Sequence, residues 1–146
     1  MSSLSYASDH YVVLDAAEKF FTKMNSKKYS YLWKNITEKS QKRIVNDLFD
    51  ALKSEDGDYS KEKIKSDMEI CGDICVSYWE GYLENFDPDS VLEDSEWSIG
   101  KFSRDKLTIN LLHKKSDRPA FLYMYNINGK WKVGLVESFW LRMRFK

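Results

Sequence analysis

Apolar residues recur at helical spacing from about Asp9 to Ser26, at Val13, Ala17, Phe20 and Met24. Ala16 and Phe21 widen the stripe, while Glu18, Lys19 and Lys23 fall opposite it, which predicts an amphipathic helix. Tyr29, Leu32, Trp33 and Ile36 repeat the spacing in a short second segment. Thr37 then stands as the N-cap of a third helix carrying Ile44, Val45, Leu48, Phe49 and Leu52. Its capping box is incomplete, because Ser40 occupies the place of Glu or Gln. The acidic stretch Ser54-Glu-Asp-Gly-Asp58 interrupts the pattern, and Ser60 caps a long fourth helix through Ile64, Met68, Cys71, Cys75, Tyr78, Tyr82 and Phe86, ended by Asp87-Pro88. Gly72 and Gly81 lie inside that helix. Each costs about 1 kcal/mol against Ala, so each marks a close approach or a bend. Val91-Leu92 in an acidic surround then leads to strands.

Period-two segments follow at Trp97 to Phe102, Leu107 to His113, Phe121 to Ile127 and Lys130 to about Phe139. The Asn128-Gly129 pair between the last two suits a two-residue type I′ turn, which sets register. It pairs Ile127 with Lys130, Asn126 with Trp131, Met124 with Val133, Leu122 with Leu135 and Ala120 with Glu137. One face then carries Ala120, Leu122, Met124, Trp131, Val133, Leu135 and Phe139, the core side. The other carries Phe121, Tyr123, Tyr125, Lys130, Lys132, Val136 and Trp140. The expected fold is α+β: one domain over residues 1–146, with N-terminal helices packed on a C-terminal curved antiparallel sheet of about four strands.

Composition fits one globular domain, 42% hydrophobic and 32% charged, and its 15% aromatic share exceeds what a minimal core needs. The 23 basic residues balance the 23 acidic ones, so no global field holds nucleic acid or an anionic membrane. The first residues lack a basic and an apolar leader region, and no apolar run is long enough to cross a bilayer, so the expected setting is cytoplasmic. Cys71 and Cys75, on one face of the expected helix, read as two free thiols. With two histidines in the chain they do not complete a zinc site, and Asp56-Gly-Asp58 and Asp87-Pro-Asp89 lack calcium-loop spacing. No nucleophile elbow, phosphate loop or dinucleotide fingerprint occurs, so no metal or cofactor is expected.

Ala16-Ala-Glu-Lys-Phe-Phe-Thr-Lys-Met24, Lys28-Tyr-Ser-Tyr-Leu-Trp33 with Thr37, and the terminal Asn128-Gly-Lys-Trp-Lys-Val133 strand resemble the nuclear transport factor 2-like superfamily. That resemblance implies a cystatin-like cone of helices wrapped by a curved sheet. The superfamily includes isomerases, dehydratases and cyclases beside many binding or association domains, so the fold does not choose the function.

Two sites follow from the register. A four-residue loop at Lys115 to Arg118 would pair His113 with Ala120, placing His113, Ala120 and Glu137 in one row on the core face. Such a pair could act as a catalytic acid/base dyad or anchor a polar ligand, or it could be an ordinary ion pair at a wetted rim. On the outer face, Phe121, Tyr123 and Tyr125 beside Lys130 and Lys132, extended by Trp140, Arg142, Arg144 and Lys146, describe a homodimer interface with aromatic anchors. The same set could stack unpaired bases, a reading the neutral net charge disfavours. The leading expectation is a small ligand-binding or association domain. Its apolar pocket, between helices and sheet, would be lined by Trp97, His113, Trp131 and Glu137 and would suit a small apolar ligand. The alternatives are a proton-transfer enzyme using His113 and Glu137, and a homodimeric scaffold.

Overall fold

A computed structural model describes residues 3–53 and 57–139, with side chains from residue 10 onward. Six helices precede the sheet among the described residues: α1 (Ser3–Asn25), α2 (Tyr29–Lys34), α3 (Glu38–Leu52), α4 (Lys61–Ile70), α5 (Asp73–Asn85) and α6 (Pro88–Leu92). Strands β1 (Ser95–Phe102), β2 (Lys106–His113), β3 (Ala120–Ile127) and β4 (Lys130–Gly134) form an antiparallel meander in chain order, and a short α7 (Leu135–Ser138) follows. The α+β class expected from the sequence is observed.

The helices bury the stripes that define them. Val13, Ala17, Phe20, Phe21 and Met24 of α1, Leu32 and Trp33 of α2, and Ile44 and Leu48 of α3 are buried together with Ile109, Leu122, Met124 and Val133 of the sheet. Phe21, Phe86 and Phe139 pack together, Phe21 stacked on Phe86 and Phe139 edge-on or tilted to both, with ring centroids 5.3 to 6.3 Å apart. The buried side chains form one cluster between the helices and the sheet.

The long fourth helix is instead two. Cys71 takes a left-handed conformation at φ 54°, Gly72 becomes the N-cap of α5, and the chain turns a corner. Asp67 explains the glycine: its Oδ1 accepts the Cys75 N–H at 2.8 Å, and a Cβ on Gly72 would lie 2.5 Å from its Oδ2. The turn brings Cys71 and Cys75 together in a disulfide, with Cα atoms 4.8 Å apart, so the expectation of two free thiols is corrected. An uninterrupted helix does not offer that geometry; a helix break does. Gly81 is a different case, since α5 runs through it and nothing lies within 4 Å of a Cβ built there. Gly81→Ala is therefore expected to raise unfolding free energy by about 1 kcal/mol, measured by urea denaturation. A loss of stability would show that the helix needs that gap.

At the Asn128-Gly129 turn both residues have positive φ, 54° and 84°, as a type I′ hairpin requires. Ile127↔Lys130, Asn126↔Trp131 and Met124↔Val133 pair as expected. The expected pairs Leu122 with Leu135 and Ala120 with Glu137 do not form, because β4 ends at Gly134 and the chain curls into α7. Two side chains hold that curl: the Val136 N–H donates to Ser40 Oγ at 3.1 Å, and Ser138 Oγ accepts the Tyr123 N–H at 2.8 Å. The outer edge of β4 is covered by the segment after α2, where the Val133 N–H donates to Asn35 O and the Thr37 N–H to Val133 O, making a parallel bridge at Ile36.

Candidate functional site

The incomplete capping box of α3 is completed from the far end of the chain. Thr37 accepts the Ser40 N–H at 3.1 Å, as an N-cap does. Glu137, a hundred residues later, accepts the Thr37 hydroxyl on Oε2 and the Ser40 hydroxyl on Oε1, each at 2.8 Å. Ser40 is fully buried and Thr37 nearly so. Gly134 makes the approach possible, because a Cβ there would stand 2.6 Å from the Tyr125 ring and 3.1 Å from Glu137 Oε2. Glu137 thus acts as a carboxylate latch between the C-terminal curl and the start of α3, with both oxygens engaged.

His113 has other neighbours. The β2–β3 register sets Leu111, not His113, opposite Ala120. His113 pairs across to Ser95 of β1, and its Nδ1 accepts the Lys115 N–H at 3.0 Å. It sits beside Asp94, whose carboxyl is held below the usual carboxylate range chiefly by a hydrogen bond from Lys114 at 2.9 Å. The expected row of His113, Ala120 and Glu137 is therefore corrected: a two-residue slip moves one end, and the α7 curl moves the other. Trp97 donates its indole N–H to Val91 O at 2.7 Å, tying α6 to β1. Trp131 packs half-buried at the edge of the core. Each expected site residue is thus placed in its own local structure, and no hydrogen bond joins them.

The strand part of the expected outer face, Phe121, Tyr123, Tyr125 and Lys132, is found on one side of the sheet. Phe121 is 46% exposed there, beside half-buried Tyr123 and Tyr125. Lys106 lies over both tyrosines, its Nζ 4.6 Å from the Tyr123 ring centroid and 5.5 Å from that of Tyr125. The β1–β2 register shifts between Ile99 and Phe102, and an open groove of about 610 Å³ lies there, with Phe102 also packed edge-on against His10 of α1, ring centroids 5.1 Å apart. The groove lining brings Phe102, Phe121 and Tyr123 together with Lys101 and Lys106, and no carboxylate is among the lining residues. The sequence reading missed Lys101, Phe102 and Lys106 as parts of this surface. Lys101 and Phe102 lie at that register shift, where alternation fails, whereas Lys106 follows the regular alternation of β2, a strand whose faces the Asn128-Gly129 register did not reach. The tail positions Trp140, Arg142, Arg144 and Lys146 lie outside the described residues, while Val136 belongs to α7 rather than to the strand face.

The described residues contain no group of three or more His, Cys, Asp or Glu side chains able to hold a metal ion, and no described helix is long and apolar enough to cross a membrane. No protein-family model, curated protein or solved structure matches this chain.

Proposed function

We propose that the chain is a cytoplasmic association domain of the nuclear transport factor 2-like kind, pairing with a second copy of itself through the outer face of its sheet. The observation that carries the reading is a partly exposed face on which aromatic rings and lysines occur together without carboxylates in its groove. Under a two-fold axis a lysine of one copy would meet a ring of the other, the kind of contact that Lys106 makes with Tyr123 and Tyr125 within one copy, and these contacts would have to outweigh the repulsion between the groove lysines. The interior between helices and sheet is occupied by buried side chains, which supports association over an internal apolar-ligand pocket.

The four strands, three of eight residues and one of five, at about 3.3 Å per residue and about 4.8 Å apart, give a footprint of roughly 460 Å² per copy. The total of roughly 900 Å² falls at the low end, where weak and transient contacts lie, so the dimer is expected to be weak. Multi-angle light scattering across a concentration series tests this. A monomer at the highest attainable concentration would remove the proposal.

A further inference from the structure

We propose that the Cys71–Cys75 disulfide is a reversible thiol–disulfide exchange site, opened from the Cys71 side by a dithiol reductant and clamping the corner between α4 and α5 when closed. The inference does not depend on the association reading. Its first support is that the corner is built to outlast the bond. The Gly72 N–H donates to Asp67 O at 3.0 Å, the Cys75 N–H to Asp67 Oδ1 at 2.8 Å and the Val76 N–H to Gly72 O at 3.1 Å. With these contacts in place, opening the bond leaves two thiols held close together, and their closure is intramolecular.

The second support is asymmetry of access. Cys75 is 0% exposed and packs in the core, whereas Cys71, at the left-handed corner residue, is partly exposed. Exchange needs a thiolate to approach one sulfur in line with the bond it breaks, so attack falls on Cys71. Access therefore sets the order of attack. The thiolate of the dithiol bonds to Cys71 Sγ and Cys75 leaves as a thiolate, which takes the proton of the reductant's second thiol. That second sulfur, now a thiolate, attacks the reductant's own sulfur in the mixed disulfide and releases Cys71 as a thiolate, which takes a proton from solvent. The protein disulfide is reduced by two electrons, and the dithiol is oxidised to its disulfide.

Opening removes the covalent constraint from a non-glycine residue at φ 54°, a region that side chains with a Cβ disfavour, so the corner loses stability while its hydrogen bonds keep its shape. In a reducing compartment the state of this bond would follow the thiol pool.

The test uses the oxidised full chain, treated with graded dithiothreitol, quenched in acid, alkylated and weighed intact. The bond is expected to open without urea, with helix content retained by circular dichroism and the melting temperature lowered by about 6 °C. In the reduced native protein, peptide mapping should find Cys71 alkylated at least tenfold faster than Cys75. Cys75→Ser should take up one glutathione from oxidised glutathione, and Cys71→Ser should take up none while folded. Reclosure by oxidised glutathione after removal of dithiothreitol should proceed at a rate independent of protein concentration. A bond that opens only when urea unfolds the chain, equal alkylation of the two thiols, or thiols that stay open under oxidised glutathione would each overturn the proposal.

Discussion

Glu137→Ala is expected to lower the unfolding free energy by about 3 kcal/mol. The carboxylate accepts two hydroxyl hydrogen bonds at 2.8 Å, and bonds to a charged acceptor contribute about 1.5–3 kcal/mol each. Its loss leaves Thr37 and Ser40 as buried hydroxyls 2.9 Å apart, close enough to bond to each other, which offsets part of the cost. Ser40 also accepts the Val136 N–H, so the α7 curl and the start of α3 loosen together. A double-mutant cycle of Glu137→Ala with Ser40→Ala, followed by urea denaturation, should give a coupling energy of roughly 1.5–3 kcal/mol. The same measurement separates a latch from a catalytic carboxylate. Glu137→Gln keeps an acceptor and should cost about 1 kcal/mol, whereas a residue serving only a reaction would leave stability unchanged. A loss below about 0.5 kcal/mol for Glu137→Ala would end the latch account.

The latch also shows which parts of the molecule were legible in the sequence. Thr37 was readable as an N-cap because the signal is local, but the partner that completes its cap is 100 residues away, and no spacing rule reaches that far. The hairpin register was legible near the turn, where Asn128 and Gly129 adopt the backbone that their side chains permit. Its reach ended at Gly134, where contacts to Ser40 outweighed continued pairing. The β2–β3 register failed for a different reason. Moving Ala120 from His113 to Leu111 shifts pairing by two residues, and a shift of two keeps every side chain on its original face. Hydrophobic alternation is blind to that error. The loop settles it, with the Lys114 N–H bonded to Asp94 O and Ser116 closing a turn on Arg118. Both candidate dyad residues were therefore assigned by extrapolating register beyond the turn that determined it. Within β3 and β4 the face assignment of Phe121, Tyr123, Tyr125 and Lys132 held, because it needs only parity.

Phe121→Lys is expected to raise the dimer dissociation constant at least a hundredfold while leaving the fold intact. Phe121 lies opposite Asn110 on β2 and is 46% exposed, so its ring contributes little to the core, and a strand position of this kind accepts a lysine. In the dimer the same ring would be an aromatic anchor at the middle of the interface, where truncation commonly costs 2 kcal/mol or more. A hundredfold change corresponds to about 2.7 kcal/mol. The new ammonium adds repulsion, because the groove already carries Lys101 and Lys106 and offers no carboxylate to receive it. Lys130→Ala, at the exposed start of β4, serves as the rim control and should shift the constant by less than fivefold. Sedimentation equilibrium on the three proteins, with thermal melts to confirm that each is folded, decides the matter. If Phe121→Lys dimerises as tightly as the parent chain, the contact lies elsewhere on the molecule, and the aromatic face must be assigned to a different partner.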